Sequence, residues 1–288
     1  MKENLNKIHP GTQLGYVHLT VSNLERSLRF YERALGFQVH QKKGARASLG
    51  AGRDDLLVLT EETGAMSVSK RTGLYHFAIL VPSRLALAQS LKNMIDVETD
   101  MQGFADHLVS EAIYLADPDG NGIEIYRDRS KSDWEYVNGK LKMWTEPLDF
   151  KGLLAELNGS QQTWKGLPPE IKLGHMHLHV ADLPAAQAFY QETLGFELMI
   201  SLDGSAAFLS AGGYHHHLGI NTWNGVGAPP PPPGAVGLRY FTINLPDRDA
   251  LDQLISRLNE SQVSYNNGNG GVFVRDPSEN GIKFVLDA

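Results

Sequence analysis

The chain of 288 residues contains no cysteine. This absence excludes disulfides, thiolate zinc sites and cysteine nucleophiles, and it favours a cytoplasmic location. Long apolar runs are also missing: no stretch approaches the roughly 18 residues that a membrane-spanning helix requires. Residues 1–10 are polar and lack an apolar core, so the sequence predicts no secretory signal.

Positive charge is scarce as well. The formal net charge is −7 and no basic stretch stands out, which argues against nucleic acid as a partner. Hydrophobic residues make up 42% and charged residues 20%, an ordinary globular composition, and the length favours two domains. Histidine is distributed unevenly, because six of the 11 histidines fall between His175 and His217.

The sequence repeats itself at an offset of 159 residues, so that Leu14 corresponds to Leu173 and Glu124 to Lys283. Two different units take part, and their order is first unit, second unit, first unit, second unit. The first repeats from Leu14-Gly15-Tyr16-Val17-His18 to Leu173-Gly174-His175-Met176-His177, and the second repeats from Asp117-Pro118-Asp119-Gly120-Asn121-Gly122 to Asp276-Pro277-Ser278-Glu279-Asn280-Gly281. Sequence repeats of this kind predict one supersecondary unit used several times.

Each unit has the pattern of one strand, one helix and three further strands. In the first unit, the alternating residues Tyr16 to Val21 predict a strand, and Ser22 or Asn23 can cap the helix that follows. That helix has one apolar face and ends at Gly36. The other strands are predicted over residues 37–40, 45–49 and 56–60.

A four-stranded sheet with one helix leaves a face uncovered, so two units are expected to combine into a cup. The fold class is therefore α+β: four βαβββ modules in tandem that form two open, cup-shaped mixed sheets with helices outside. The first half (residues 12–128) contains modules at 14–60 and 73–127, and the second half (172–288) contains modules at 172–222 and 237–287. A joining segment, 129–171, includes a short predicted helix from Asp149 to Leu157, and Pro229 to Pro233 form a stiff connector between modules three and four.

These four modules resemble the vicinal oxygen chelate superfamily, which includes glyoxalases, metal-free antibiotic-binding proteins and extradiol ring-cleaving dioxygenases. The run from Tyr114 through Asp117-Pro118-Asp119-Gly120-Asn121-Gly122 to Glu124 resembles the last-strand motif of catechol 2,3-dioxygenases. The resemblance implies an Fe(II)-dependent extradiol dioxygenase of aromatic hydrocarbon catabolism. Such an enzyme uses O2 to cleave a catechol next to the diol and forms a hydroxymuconic semialdehyde.

Members of the superfamily place metal ligands early in a module's first strand and in its last strand. At these positions modules two and three offer His76, Glu124 and His175. Two imidazoles and one carboxylate are the facial triad of non-haem Fe(II) oxygenases; Mn(II), Zn(II) and Ni(II) are alternatives. Modules one and four offer Tyr16, Val58, Tyr240 and Lys283, a poor ligand set for a dication.

This ligand set requires modules two and three to share one cup, whereas the commoner dioxygenases take their triad from modules three and four. A lone strand histidine is more often a packed residue than a ligand. Glu124, however, lies between Ile123 and Ile125, so its carboxylate should point to the inner face, where an unpaired charge would be unfavourable. The lysine at the equivalent position, Lys283, indicates that the module folds without an acid there.

The resemblance also implies three catalytic residues. His216, expected in the last strand of module three, would be the acid–base catalyst, although His215 or His217 could occupy that place and His217 could be a fourth ligand as in glyoxalases. Tyr114 matches the tyrosine that hydrogen-bonds the substrate oxygen, and His107 resembles a second pocket histidine. His177 is expected to be structural, because His18 occupies its place in module one.

Two other functions remain open at this point. A glyoxalase-like isomerase or glutathione transferase would use a redox-inert metal with a fourth ligand, and a metal-free aromatic-ligand-binding protein would need no ligand triad. The expected partners are a small aromatic diol and O2, with no nucleic acid and no membrane. Self-association into a homo-oligomer is left open.

Overall fold

The computed structural model describes residues 7–159, 164–268 and 270–287. It contains the four predicted βαβββ modules, and the joining segment adds a 3-10 turn (Lys131–Asp133), two short strands and one α-helix. The strands of modules one and two are β1 (Gln13–Val21), β2 (Gln38–Lys43), β3 (Arg46–Gly50), β4 (Leu57–Glu61), β5 (Gly73–Leu80), β6 (Met101–Asp106), β7 (Ser110–Ala116) and β8 (Gly122–Asp128). The joining segment holds β9 (Tyr136–Val137) and β10 (Lys140–Leu141). Modules three and four hold β11 (Lys172–His179), β12 (Glu197–Leu202), β13 (Ala206–Ser210), β14 (Leu218–Asn221), β15 (Gly237–Leu245), β16 (Asn266–Gly268), β17 (Gly271–Arg275) and β18 (Gly281–Leu286).

The helices are α1 (Leu24–Phe30), α2 (Arg84–Asp96), α3 (Phe150–Ala155), α4 (Leu183–Ala188) and α5 (Arg248–Glu260). Asn23 caps α1 by accepting a hydrogen bond from the Arg26 amide, as predicted for one of two candidate residues. The chain then continues in a π-helical turn that ends at Gly36, which has a φ of 79°. The sequence did not predict this turn, which recurs after α4 at Phe189–Thr193.

The repeated Asp-Pro turns fasten neighbouring modules together. The buried Asp117 carboxylate accepts a hydrogen bond from the Tyr31 hydroxyl at 2.9 Å, and Asp276 accepts one from Tyr190 at 3.0 Å. Each aspartate also binds amide groups of its own turn. This motif therefore has a structural role, since it joins the π-helical turn of one module to the last β-turn of the next.

The strands form two eight-stranded mixed sheets, each built from two modules. Sheet A has the order β16-β17-β18-β15-β1-β4-β3-β2 and joins modules one and four. Sheet B has the order β12-β13-β14-β11-β5-β8-β7-β6 and joins modules two and three. At the centre of each sheet the first strands of its two modules, β1 with β15 and β11 with β5, pair antiparallel. Modules two and three therefore share a sheet, as the ligand set requires.

The outer faces of both sheets pack against the helices in one large hydrophobic core. Alternate strand residues such as Val17, Leu19, Ile123 and Ile125 are almost fully buried there. The inner faces carry the histidines, tyrosines and charged side chains instead. Two cups with polar inner surfaces result, as the module count predicted.

The joining segment places α3 against α2. Its observed bounds, Phe150–Ala155, lie within the predicted helix, and Asp149 caps it through the Gly152 amide. Arg84 at the start of α2 also contacts the Gly152 carbonyl and Glu156. None of the helices among the described residues has the length and apolar character needed to span a membrane.

Candidate metal centre

The position of His175 depends on a β-bulge in strand β11. Leu173 pairs with Ile79 and His175 with Ala78, so Gly174 is an extra residue without a counterpart on β5. Leu173 consequently packs into the outer core, whereas His175 reaches the inner face of sheet B. Only glycine fits here, because a Cβ at Gly174 would lie 1.8 Å from the Tyr126 hydroxyl.

The three predicted ligands converge above a small residue at the centre of sheet B. Ala78 on β5 lies between His175 on β11 and Glu124 on β8 in the strand register, and its methyl group leaves the space in which they meet. His175 Nε2 is 3.0 Å from Glu124 Oε2, and His76 Nε2 is 3.1 Å from the same oxygen. The two imidazole Nε2 atoms are 3.3 Å apart.

All three side chains are buried, and burial together with neighbouring groups sets the protonation of Glu124 and His175. Burial raises the pKa of Glu124, but His175 and His76 outweigh burial and hold the pKa well below its usual range. Burial lowers the pKa of His175 to about 4 despite the neighbouring carboxylate. An ionised carboxylate and a neutral imidazole are the forms that bind a metal ion.

This donor set fits a divalent metal ion. One donor atom from each of the three residues lies within 4.8 Å of the other two, which is compatible with bonds of about 2.0–2.2 Å to one ion. No hydrogen-bond partner for His175 Nδ1 is found among the described residues, so its Nε2 is the nitrogen that faces the other donors. Two nitrogens and one carboxylate leave coordination positions free for other ligands.

Tyr114 and His107 lie next to this group on the β7 side. Tyr114 is the cross-strand partner of Glu124, and its ring centroid is 5.7 Å from that of His76. Its hydroxyl is 2.7 Å from His107 Nε2. Burial, followed by the charge of Glu124, raises the pKa of Tyr114 well above its usual range. The hydroxyl therefore keeps its proton at neutral pH and can donate it to a hydrogen bond.

His216 lies on the other side of the group. Its ring centroid is 4.2 Å from that of His175 and 5.0 Å from that of Phe208. The predicted location in the last strand is wrong for all three adjacent histidines, because they precede β14, which begins at Leu218. The Gly212–Gly213 turn, with two positive φ angles, interrupts regular structure before them.

His216 belongs to a hydrogen-bonded chain that the sequence did not predict. Its Nδ1 is 2.7 Å from His215 Nδ1, and His215 Nε2 is 2.9 Å from Asp128 Oδ1. The same carboxylate accepts a hydrogen bond from the Tyr214 hydroxyl, which is 2.7 Å from the Tyr126 hydroxyl. The sequence did contain a signal for part of this hydrogen-bonded network. Strand residues alternate between faces, so Tyr126 and Asp128 lie on the same inner face as Glu124.

The remaining histidines have other partners. His217 Nδ1 accepts a hydrogen bond from the Ala211 amide at 3.2 Å, so in the neutral ring Nε2 carries the proton and has no free lone pair. That tautomer does not suit a metal ligand. His177 Nε2 is 2.9 Å from Asn221 Nδ2, and its ring centroid lies 5.0 Å from that of Tyr75.

The corresponding positions of sheet A are occupied by side chains of different types. Tyr16 and Tyr240 take the places of His175 and His76, and their hydroxyls are 3.1 Å apart. Lys283 takes the place of Glu124, because it pairs with Phe273 as Glu124 pairs with Tyr114. His18 repeats the position of His177 and contacts Thr60 Oγ1 at 2.9 Å.

Comparison with known proteins agrees with this architecture. The family model described as "Glyoxalase/Bleomycin resistance protein/Dioxygenase superfamily" matches residues 13–125 and 172–284. The chain belongs to this superfamily. A Bacillus subtilis protein named "Catechol-2,3-dioxygenase" is 44% identical to this chain over 288 residues. The match covers 98% of this chain and 100% of the relative.

Solved structures with a fold similar to that of this chain are more distant in sequence. A crystal structure of another Bacillus subtilis protein matches with a TM-score of 0.63 at 14% identity, covering 98% of this chain and 86% of that one. Glyoxalase I from Zea mays matches with a TM-score of 0.58 at 15% identity, covering 96% and 92% of the two chains. At these identities the likeness concerns the fold alone.

Proposed function

We propose that the chain is an Fe(II)-dependent extradiol dioxygenase that uses O2 to cleave the ring of a catechol next to its diol, giving a hydroxymuconic semialdehyde. One observation carries the proposal: two histidines and one glutamate meet on the inner face of sheet B, with a tyrosine and a fourth histidine beside them. The full-length similarity to a protein named catechol-2,3-dioxygenase supports it.

His76, Glu124 and His175 would hold the iron. Fe(II) bound there would supply open coordination positions for the substrate oxygens and O2 and a path for electrons between them. The protein's part is to keep these three donors in place, which the β11 bulge and the register of β5 and β8 do.

His216 is proposed as the group that moves a proton. Because His215 Nε2 donates to the Asp128 carboxylate, His215 Nδ1 accepts from His216 Nδ1–H. The lone pair of His216 is then on Nε2, which can take a proton from a catechol hydroxyl and later return it. Asp128 and His215 orient His216 and do not touch the substrate.

Tyr114 is proposed to orient the substrate. Its hydroxyl remains protonated and lies beside the ligand group, so it can donate a hydrogen bond to a substrate oxygen that carries negative charge. His107 Nε2, 2.7 Å from that hydroxyl, holds the tyrosine in place. In this role His107 acts through Tyr114.

The test is reconstitution with Fe(II) under anaerobic conditions, followed by addition of catechol and then O2. The expected result is one O2 consumed for each catechol, with the appearance of a yellow ring-cleavage product. Metal-dependent isomerisation of a glutathione adduct without O2 uptake would support the glyoxalase-like alternative instead. Tight binding of an aromatic ligand without bound metal or turnover would support the metal-free binding alternative.

A further inference from the structure

The inner face of sheet A has the same framework as the candidate metal centre but the opposite charge. Lys283 occupies the register position of Glu124, and Arg46 on β3 occupies that of Ala206 on β13. Among the described residues neither Lys283, which is partly buried, nor Arg46, which is exposed, forms an ion pair or a side-chain hydrogen bond with the protein. Two cations that form no ion pair therefore lie on the inner face of this cup.

Aromatic rings line the space between these cations. The Tyr240 ring lies edge-to-face against Tyr16, His18 and Phe273, with centroid separations of 6.0, 4.9 and 6.0 Å. Tyr16, Tyr240 and Phe273 are only partly buried, so their rings are accessible from the open side of the cup. Such a surface suits a planar ring placed by edge and face contacts.

Some polar groups at the centre of sheet A lack a full set of hydrogen-bond partners. The hydroxyls of Tyr16 and Tyr240 share one hydrogen bond, which uses one of their two hydrogens and leaves the other to donate elsewhere. Beneath them, His18 is bonded through Nε2 to Thr60, while no partner for its buried Nδ1 is found among the described residues. Unpartnered polar groups of this kind are rare in the interior of a folded protein.

We propose that the cup of sheet A is a second binding site that takes a small aromatic carboxylate and no metal ion. The carboxylate pairs with Lys283, the free phenolic O–H of the tyrosine pair donates to it, and the ring lies against Tyr240 and Phe273. In sheet B a carboxylate of the protein would bind a metal cation, whereas in sheet A a cation of the protein would bind the carboxylate of a ligand. This site is independent of the ring-cleavage reaction.

The test is calorimetric titration of the iron-free protein with 4-hydroxybenzoate. We expect one site per chain, binding that weakens with added salt, and at least tenfold weaker binding of the neutral 4-hydroxybenzamide. Lys283→Met is expected to raise Kd about 10- to 100-fold, as for the loss of a hydrogen bond to a charged group. Tyr240→Phe is a second variant that keeps the ring and removes a hydroxyl.

His76→Ala in the other cup is the matched control and should leave Kd unchanged. Thermal unfolding of each variant establishes that it is folded. Two results would overturn the proposal: no binding of 4-hydroxybenzoate to the folded wild-type protein, or binding that Lys283→Met leaves intact. Because the protein is free of iron, failure here is distinguishable from failure of the proposed dioxygenase activity.

Discussion

Sheets A and B share a strand order, and the register shift between Leu173 and His175 in β11 has a counterpart between Leu14 and Val17 in β1. Their inner faces nevertheless differ in charge and in ligand chemistry. Glu124, His76 and His175 in sheet B correspond to Lys283, Tyr240 and Tyr16 in sheet A. Both sets lie on equally well-formed frameworks. The fold therefore places no demand on these positions, and the side chains present there reflect the ligand that each cup is proposed to bind.

The largest effect is expected when the carboxylate of the ligand group is removed. Glu124→Gln preserves shape but removes the charge that a dication requires, so we expect ring cleavage to fall below detection while thermal unfolding changes little. The measurement is O2 uptake with catechol after Fe(II) reconstitution. Lys283→Gln, the equivalent change in sheet A, is the control and should retain wild-type turnover.

The next largest effect is expected at His216. His216→Ala should keep iron bound but slow turnover about 100- to 10,000-fold, as for the loss of a positioned acid–base group. Iron content and kcat are measured together. His40→Ala, on the outer edge of sheet A, is the control. Loss of iron in His216→Ala would make the residue a ligand and contradict its assigned role.

A smaller effect is expected at Tyr114. Tyr114→Phe gives sheet B the residue that sheet A has at this position, Phe273, and removes one donor to a charged oxygen. We expect kcat to fall about 10- to 100-fold, equivalent to a hydrogen bond of about 1.5–3 kcal/mol. An unchanged kcat, with iron content at the wild-type level, would show that the hydroxyl does not contact the reacting oxygen.

The smallest effect concerns stability and a buried carboxylate in sheet B. In sheet B the buried Glu111 accepts hydrogen bonds from Arg84 and Arg127 at 2.9 and 2.7 Å. Burial raises the pKa of Glu111, but the two arginines more than offset burial, so the pKa lies below the usual 4.5. A lowered pKa means that this stabilisation is present above the unfolded-state pKa and is lost as the pH falls.

Glu111→Gln should therefore lower the free energy of unfolding by about 1–3 kcal/mol at pH 7. The difference from wild type should shrink as the pH is lowered below about 4.5. Urea unfolding at several pH values measures it. Glu170→Gln, at an exposed acid, is the control and should change stability by less than about 0.5 kcal/mol. A difference that grows at acidic pH would contradict the assigned sign.

Much of this architecture could be predicted from repetition and alternation. The offset between equivalent residues defined the modules, and the alternation around Glu124 correctly predicted an inward carboxylate. The ligand set then required modules two and three to share a sheet, and sheet B joins them. These inferences succeeded because they depend on residues close in sequence or related by one constant spacing.

Other features depend on contacts that no local pattern records. The role of Gly174 follows from the Tyr126 hydroxyl beside it, which belongs to another module. Asp128 and His215 are far apart in sequence and meet only because β8 ends beside the segment before β14. The π-helical turn likewise begins at Tyr31, whose hydroxyl binds the distant Asp117.

The proposed difference between the two cups is that sheet B binds a metal ion and sheet A does not. It is tested most directly by counting tightly bound Fe(II) per chain after anaerobic reconstitution and desalting, in wild type, His175→Ala and the equivalent sheet A variant Tyr16→Phe. We expect one ion per chain in wild type and in Tyr16→Phe, and close to none in His175→Ala. Two ions per chain in the wild type, or one ion retained by His175→Ala and lost from Tyr16→Phe, would contradict the account.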